Sequence, residues 1–307
     1  PPAAPAGSAA SPGYWLIHSS RARINPVNRN RSMHWTIKLP LILVCLYGLG
    51  LLLVFLAQDR LIFFPRRHPG LSEEDKVRRF EYTSTSGEQV AYLIGETGSP
   101  EKVWLIFGGN GSLAIDFAGL ARSVITQSPE TCCVLIDYPG YGANQGKPGR
   151  RAIREASDAL WAALPGELGL SEDELAARAS LLGHSLGAAV AFESASVWEV
   201  PRVFAVSPFT SMQDMARRQV TSAFAVGLRH RWDNRRAIER IAEMDDVEIE
   251  IFHGEEDGLI PAAMGRELRD LAPHKIQFTP VPSAGHNDVI CAILPDLIDL
   301  LAGGKNP

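Results

Sequence analysis

The stretch that most constrains this chain is Leu181-Leu182-Gly183-His184-Ser185-Leu186-Gly187-Ala188-Ala189. An apolar run at 179–182 passes through G-x-S-x-G into an Ala-rich segment with helical character. A sharp strand-to-helix turn of this kind lifts a serine oxygen clear of a sheet. Gly183 and Gly187 suit it, because a Cβ there would crowd the close approach of backbone segments. A helix that begins after Ser185 also points backbone N–H groups, and the positive end of its dipole, at any oxyanion formed beside the hydroxyl. Gly and Ser are common enough that G-x-S-x-G arises by chance. What sets this copy apart is the strand before it and the helix after it.

The rest of the chain alternates strand and helix. Residues 79–84 and 89–94 alternate in polarity around Ser86-Gly87, which predicts an antiparallel hairpin. Residues 103–107 form a short apolar run of the kind buried on both faces of a parallel sheet. Further strands are expected at 132–136, 203–206, 247–252 and 275–280, with helices at 113–125, 153–164, 261–271 and 289–301. Between 209 and 244 the pattern is helical without a strand, the place for a small cap. The order implies an α/β fold: a mostly parallel sheet with helices on both faces and a small helical cap.

Residues 39–57 carry no charge (LPLILVCLYGLGLLLVFLA). As a helix rising 1.5 Å per residue, this run nearly spans a hydrocarbon core of about 30 Å. No small-x-small cleavage site follows it. Residues 36–58 are therefore read as a single-pass transmembrane helix and 59–303 as the globular domain. Residues 1–32, rich in Pro, Ala, Gly, Ser, Arg and Asn, read as a disordered tail, and Met33 as the natural start. Arg21, Arg23, Arg29, Arg31 and Lys38 precede the span, and Arg60, Arg66 and Arg67 follow it. That balance leans toward an extracytoplasmic domain; counted from Met33 it reverses.

A net charge of −5 argues against nucleic acid as partner. The four cysteines, Cys45, Cys132, Cys133 and Cys291, show neither a disulfide framework nor metal-ligand spacing. Adjacent Cys132 and Cys133 should point to opposite faces of one strand. No metal or organic cofactor is expected.

A serine hydroxyl needs a base within hydrogen-bond reach, and the base needs an acid to fix its tautomer. The strand at 247–252 runs into His253-Gly254-Glu255-Glu256-Asp257, and the last strand into Ser283-Ala284-Gly285-His286-Asn287-Asp288. Ser185, His286 and an acid after 252 thus fall at one edge of the sheet, outside the carboxyl ends of the strands, where ligands bind in such sheets. Asp257, Glu255 and Glu256 compete as the acid, with Asp288 a weaker candidate. His184 and His253 are assigned to loop geometry. Two backbone N–H donors are needed for an oxyanion. Leu186, next after the serine, supplies one; Asn110, or its neighbour Gly109, supplies the other.

With these pieces assembled, the chain resembles the α/β-hydrolase superfamily, and within it the Bem46-like, ABHD17-like and ABHD13-like serine hydrolases. The resemblance rests on Asp59-Arg60-Leu61-Ile62-Phe63-Phe64-Pro65, Gly109-Asn110, Asp137-Tyr138-Pro139-Gly140-Tyr141-Gly142, Gly183-His184-Ser185-Leu186-Gly187, Ser207-Pro208-Phe209-Thr210-Ser211, Asp233-Asn234, His253-Gly254 with Asp257 and Ile260-Pro261, and Gly285-His286-Asn287-Asp288. It implies Ser185, Asp257 and His286 as a catalytic triad acting on a small or lipid-like acyl substrate, with ester or thioester cleavage through an acyl-enzyme. Gly108 departs from the pattern, since relatives carry His before Gly-Asn.

Two rivals remain at this stage. Gly109-Asn110-Gly111-Ser112-Leu113-Ala114 matches the dinucleotide pattern G-x-G-x-x-A, with Asp137 ending the next strand. A catalytically inactive hydrolase fold acting as a binding protein is the other.

Overall fold

The computed structural model of the protein describes residues 35–68, 77–219, 225 and 227–303. The tail at 1–32 and Met33 lie outside the described residues. By internal contacts the chain divides between Leu46 and Tyr47. Helix α1, Trp35–Ile62, is long and apolar enough to cross a membrane. Its later part, from Tyr47 on, belongs with the folded domain.

The domain is built on one eight-stranded sheet in the order β1-β2-β4-β3-β5-β6-β7-β8. The hairpin β1 (Arg78–Ser84) and β2 (Gly87–Gly95) is antiparallel, and β2 lies antiparallel to β4 (Thr131–Ile136). The remaining strands, β3 (Lys102–Phe107), β5 (Ala179–His184), β6 (Arg202–Val206), β7 (Glu248–Gly254) and β8 (Ile276–Val281), pair in parallel.

Side-chain alternation builds two cores, one on each face. Val103, Leu105 and Phe107 of β3 join Ile153, Leu160 and Leu164 of α3 (Arg150–Leu168). Trp104 and Ile106 join Ala121 and Val124 of α2 (Ala118–Gln127) and the C-terminal helix. Each fully buried aliphatic side chain in these layers contributes roughly 1.5–3 kcal/mol. Cys132 and Cys133 fall into the opposite cores as alternation requires, and burial pushes the Cys132 thiol up to about 12.

Three helix boundaries differ from the sequence expectation. The segment at 113–125 is a 3-10 turn, Ala114–Phe117, followed by α2. A further helix, α4 (Glu172–Arg178), lies before β5. Ser171 caps it by accepting the Glu174 N–H, and Glu174 accepts the Ser171 N–H in return, a capping box. The expected helix at 289–301 is two helices separated at Ile293. Pro295, at the start of the second, has no N–H to continue the first.

The cap follows β6. It consists of α6 (Met212–Gln219), the described part of 225–233 and α7 (Asn234–Ala242). Ala225 and Leu228 pack with Val54 and Ile62 of α1. Helix α5 (Leu186–Trp198) leaves the elbow, and α8 (Ala262–Leu271), α9 (Val289–Ala292) and α10 (Leu294–Ala302) complete the fold.

Candidate active site

The carboxyl ends of β3, β5, β6, β7 and β8 lie side by side, so the loops leaving them share one edge. Ser185 follows β5 and precedes α5, with φ 55° and ψ −112°, a conformation that L residues avoid. Its N–H is tied to the Val206 carbonyl at 2.9 Å, so the neighbouring strand holds the turn in place. The glycines on either side are obligatory for packing. A Cβ on Gly183 would lie 2.3 Å from the Gly187 carbonyl oxygen, and one on Gly187 2.1 Å from that of Phe107. Ser207 and Ser283, after β6 and β8, also have positive φ. Backbone strain thus gathers at this edge.

Three expected side chains meet here. His286 Nε2 is 3.0 Å from Ser185 Oγ, and His286 Nδ1 is 2.7 Å from Asp257 Oδ2. The carboxylate acceptor puts the proton on Nδ1, which leaves the Nε2 lone pair facing the hydroxyl. Of the competing acids, Glu255 instead pairs with Arg266 at 3.1 Å. Asp257 is itself held by two backbone donors, since its Oδ1 accepts the Leu259 N–H at 2.9 Å and the Ile260 N–H at 2.7 Å. Burial acts to raise its pKa. Hydrogen bonding from His286 and the Ile260 N–H, with the His253 ring close by, outweighs that and holds the carboxyl well below the usual carboxylate range.

His184 and His253 brace this arrangement. The buried His253 donates Nε2–H to the Ile260 carbonyl at 2.8 Å and lies 3.6 Å from Asp257 Oδ2. His184 donates Nε2–H to the His286 carbonyl at 3.2 Å. Its other nitrogen faces Gly109, where a Cβ would approach within 2.8 Å. Burial, and then the nearness of His286, lower the His184 pKa to about 4, so the ring is neutral near pH 7.

The loop after β3 supplies the other wall. The Leu186 N–H stands in the first turn of α5, where backbone donors have no intrahelical partner. The Asn110 side chain is fully engaged with residues 62–64 and Tyr141. Its Oδ1 accepts the Phe64 N–H at 3.1 Å and the Tyr141 hydroxyl at 2.8 Å, and its amide donates to the Ile62 carbonyl. Tyr138 donates to the Gly108 carbonyl at 2.6 Å. Both tyrosines and the 62–64 segment lie in stretches that carry the family resemblance, 137–142 and 59–65, but nothing in either stretch predicts that they bond to the loop at 108–110.

The G-x-G-x-x-A match does not lead to a dinucleotide site. Its loop enters a 3-10 turn, and Asp137, the would-be ribose ligand, is buried, with Oδ1 accepting the Ala114 N–H at 2.8 Å and Oδ2 3.4 Å from His68. Among the described residues no group of three or more His, Cys, Asp or Glu side chains is arranged to hold a metal ion.

Fold and loops together define the class, and the chain belongs to the alpha/beta hydrolase family, whose model matches residues 103–306. An uncharacterized protein of Mycobacterium tuberculosis strain H37Rv is 28% identical over 270 residues, 84% of this chain and 88% of the relative. Human alpha/beta hydrolase domain-containing protein 17B is 26% identical over 220 residues, 71% of this chain and 72% of the relative. Among solved structures, an esterase of Pyrococcus furiosus superposes with a TM-score of 0.61 at 17% identity, covering 78% of this chain and 96% of the other. The Butyrivibrio proteoclasticus protein Est1E, solved with ferulic acid bound, gives 0.57 at 13% identity, covering 72% and 97%.

Proposed function

We propose that the protein is a membrane-anchored serine hydrolase that cleaves an ester or thioester through an acyl-enzyme. Ser185 is the nucleophile, His286 the base and Asp257 its orienting acid. The observation that carries the reading is the continuous relay from Asp257 Oδ2 through both nitrogens of His286 to Ser185 Oγ, at 2.7 and 3.0 Å.

In this mechanism His286 Nε2 takes the hydroxyl proton as Ser185 Oγ attacks the carbonyl carbon. The negative charge moves to the former carbonyl oxygen, which the N–H groups of Leu186 and Asn110 receive. Each such donor is worth roughly 3–4 kcal/mol in comparable sites. His286 then passes its proton to the leaving alcohol or thiol. Water, deprotonated by the same nitrogen, attacks the acyl-serine and releases the acid. Asp257 stays ionised throughout and balances the imidazolium charge.

The anchor is assigned to α1, whose length suits a bilayer. A lipid-like acyl group fits the exposed Leu61 and Phe64 where that helix meets the domain. Hydrolysis of p-nitrophenyl esters of increasing chain length, by the full chain and by Ser185→Ala, tests the reading. The variant should lose roughly 10³-fold or more in kcat. Equal rates for the two proteins would end the acyl-enzyme proposal and favour a binding role.

A further inference from the structure

The Asn110 amide is bonded to the end of the anchor helix. The helix stops at Ile62, leaving that residue's carbonyl without an intrahelical donor. Asn110 Nδ2 donates to it. Two residues on, the Phe64 N–H returns to Asn110 Oδ1 at 3.1 Å, and Tyr141 Oη fills the remaining lone pair at 2.8 Å. The contact continues along the loop. Arg66 donates to the Gly111 carbonyl at 3.3 Å, and the Arg66 carbonyl accepts the Gly142 N–H at 2.8 Å. On its other side the loop is held through Tyr138 and the face of His184. On the reading above, one residue therefore carries the oxyanion-receiving N–H and, on its side chain, the cap of the anchor helix.

We infer that Asn110 is a positioning residue whose side chain fixes the oxyanion-binding N–H by clamping its loop to the end of the anchor helix at residues 62–64. This rests on the serine-hydrolase reading above. It makes the segment after the anchor a working part of the site, in addition to its role as a tether. A donor displaced by about 1 Å can cost as much as 10²-fold in rate. Because the donor acts on charge that develops in the transition state, the loss should fall on kcat and leave KM nearly untouched.

The experiment uses the full chain and short p-nitrophenyl esters, which make little contact beyond the reacting carbonyl. Asn110→Ala should lower kcat roughly 10- to 100-fold with KM changed less than about threefold. Tyr141→Phe, which removes one of the three bonds, should lower kcat a few-fold in the same sense. Phe64→Pro removes the N–H that Asn110 Oδ1 accepts. If the two sides form one clamp, Phe64→Pro combined with Asn110→Ala should cost little more than Asn110→Ala alone. Wild-type kcat in Asn110→Ala, or strictly multiplicative losses in the double variant, would overturn the inference. Activity persisting in Ser185→Ala would instead overturn the underlying reading. Silence of Ser185→Ala together with full activity of Asn110→Ala removes this inference alone.

Discussion

The two walls of the site are held in different ways. The wall that carries Asp257 and His286, formed by the loops after β7 and β8, is braced by its own neighbours. Asp257 takes donors two and three residues ahead of it, the Glu256 N–H reaches the Ala284 carbonyl at 3.1 Å, and a Cβ on Gly254 would lie 2.3 Å from that same carbonyl oxygen. The wall after β3, which carries Asn110, gets its bracing from afar, from residues 62–66 and the tyrosines of 137–142. Local bracing makes a wall that forms whenever its strands pair. Distant bracing makes one that depends on a second segment being in place.

The strongest way to break the first wall is Asp257→Asn. It keeps the shape but favours the wrong His286 tautomer, and kcat should fall about 10⁴-fold, as in comparable triads. Steady-state ester hydrolysis checks it; a loss under tenfold would remove Asp257 from its assigned role. On the other wall, Gly187→Ala forces a Cβ to 2.1 Å from the Phe107 carbonyl oxygen. Neither group is a flexible side chain tip, so denaturant unfolding should show a loss of roughly 3 kcal/mol, or failure to fold.

His184 spans both walls, between Gly109 and the His286 carbonyl, and its titration sharpens the contrast. With its folded pKa depressed to about 4, the unfolded chain binds its proton first as pH falls from the ordinary histidine value. Its contribution is thus fully present above about pH 6.5 and is lost as pH drops toward 4, on the order of 3 kcal/mol. Unfolding at stepped pH should show this slope, and His184→Gln should flatten it. The smallest effect is expected at Arg66→Ala. Its bonds to the Gly111 carbonyl and to Asp116 are exposed, so stability should change by no more than about 1 kcal/mol and kcat by less than about twofold. A large loss there would shift the bracing from Asn110 to Arg66.

The same contrast explains what could be read from the chain. The sheet, its alternating strands and the elbow follow from short-range patterns, because period-2 burial and a Gly-flanked turn are properties of neighbouring residues. Ser185, His286 and the acid could be placed on one edge because each follows a strand. Choosing Asp257 over Glu255 took the family resemblance; in the structure the choice is one of reach, since Glu255 turns to Arg266. Helix α4 is hard to see in the sequence although Ser171 and Glu174 spell a capping box, because its few residues give little periodicity. The break at Ile293 is masked because Pro295 lies within one long apolar stripe. The clamp of Asn110 on 62–64 has no local signal at all. It joins residues nearly fifty apart, and a polar side chain between glycines looks the same whether it faces solvent or a helix end.

One consequence follows from the sequence order of the relay. The hydroxyl is encoded at 185, the carboxylate at 257 and the imidazole at 286, on the loop after the last strand of the sheet. If Ser185 is the nucleophile proposed above, a chain emerging from the ribosome carries it for some hundred residues before the imidazole that would activate it has been made. On that reading reactivity arrives only with the loop after the last strand, and a polypeptide cut short before it is chemically mute.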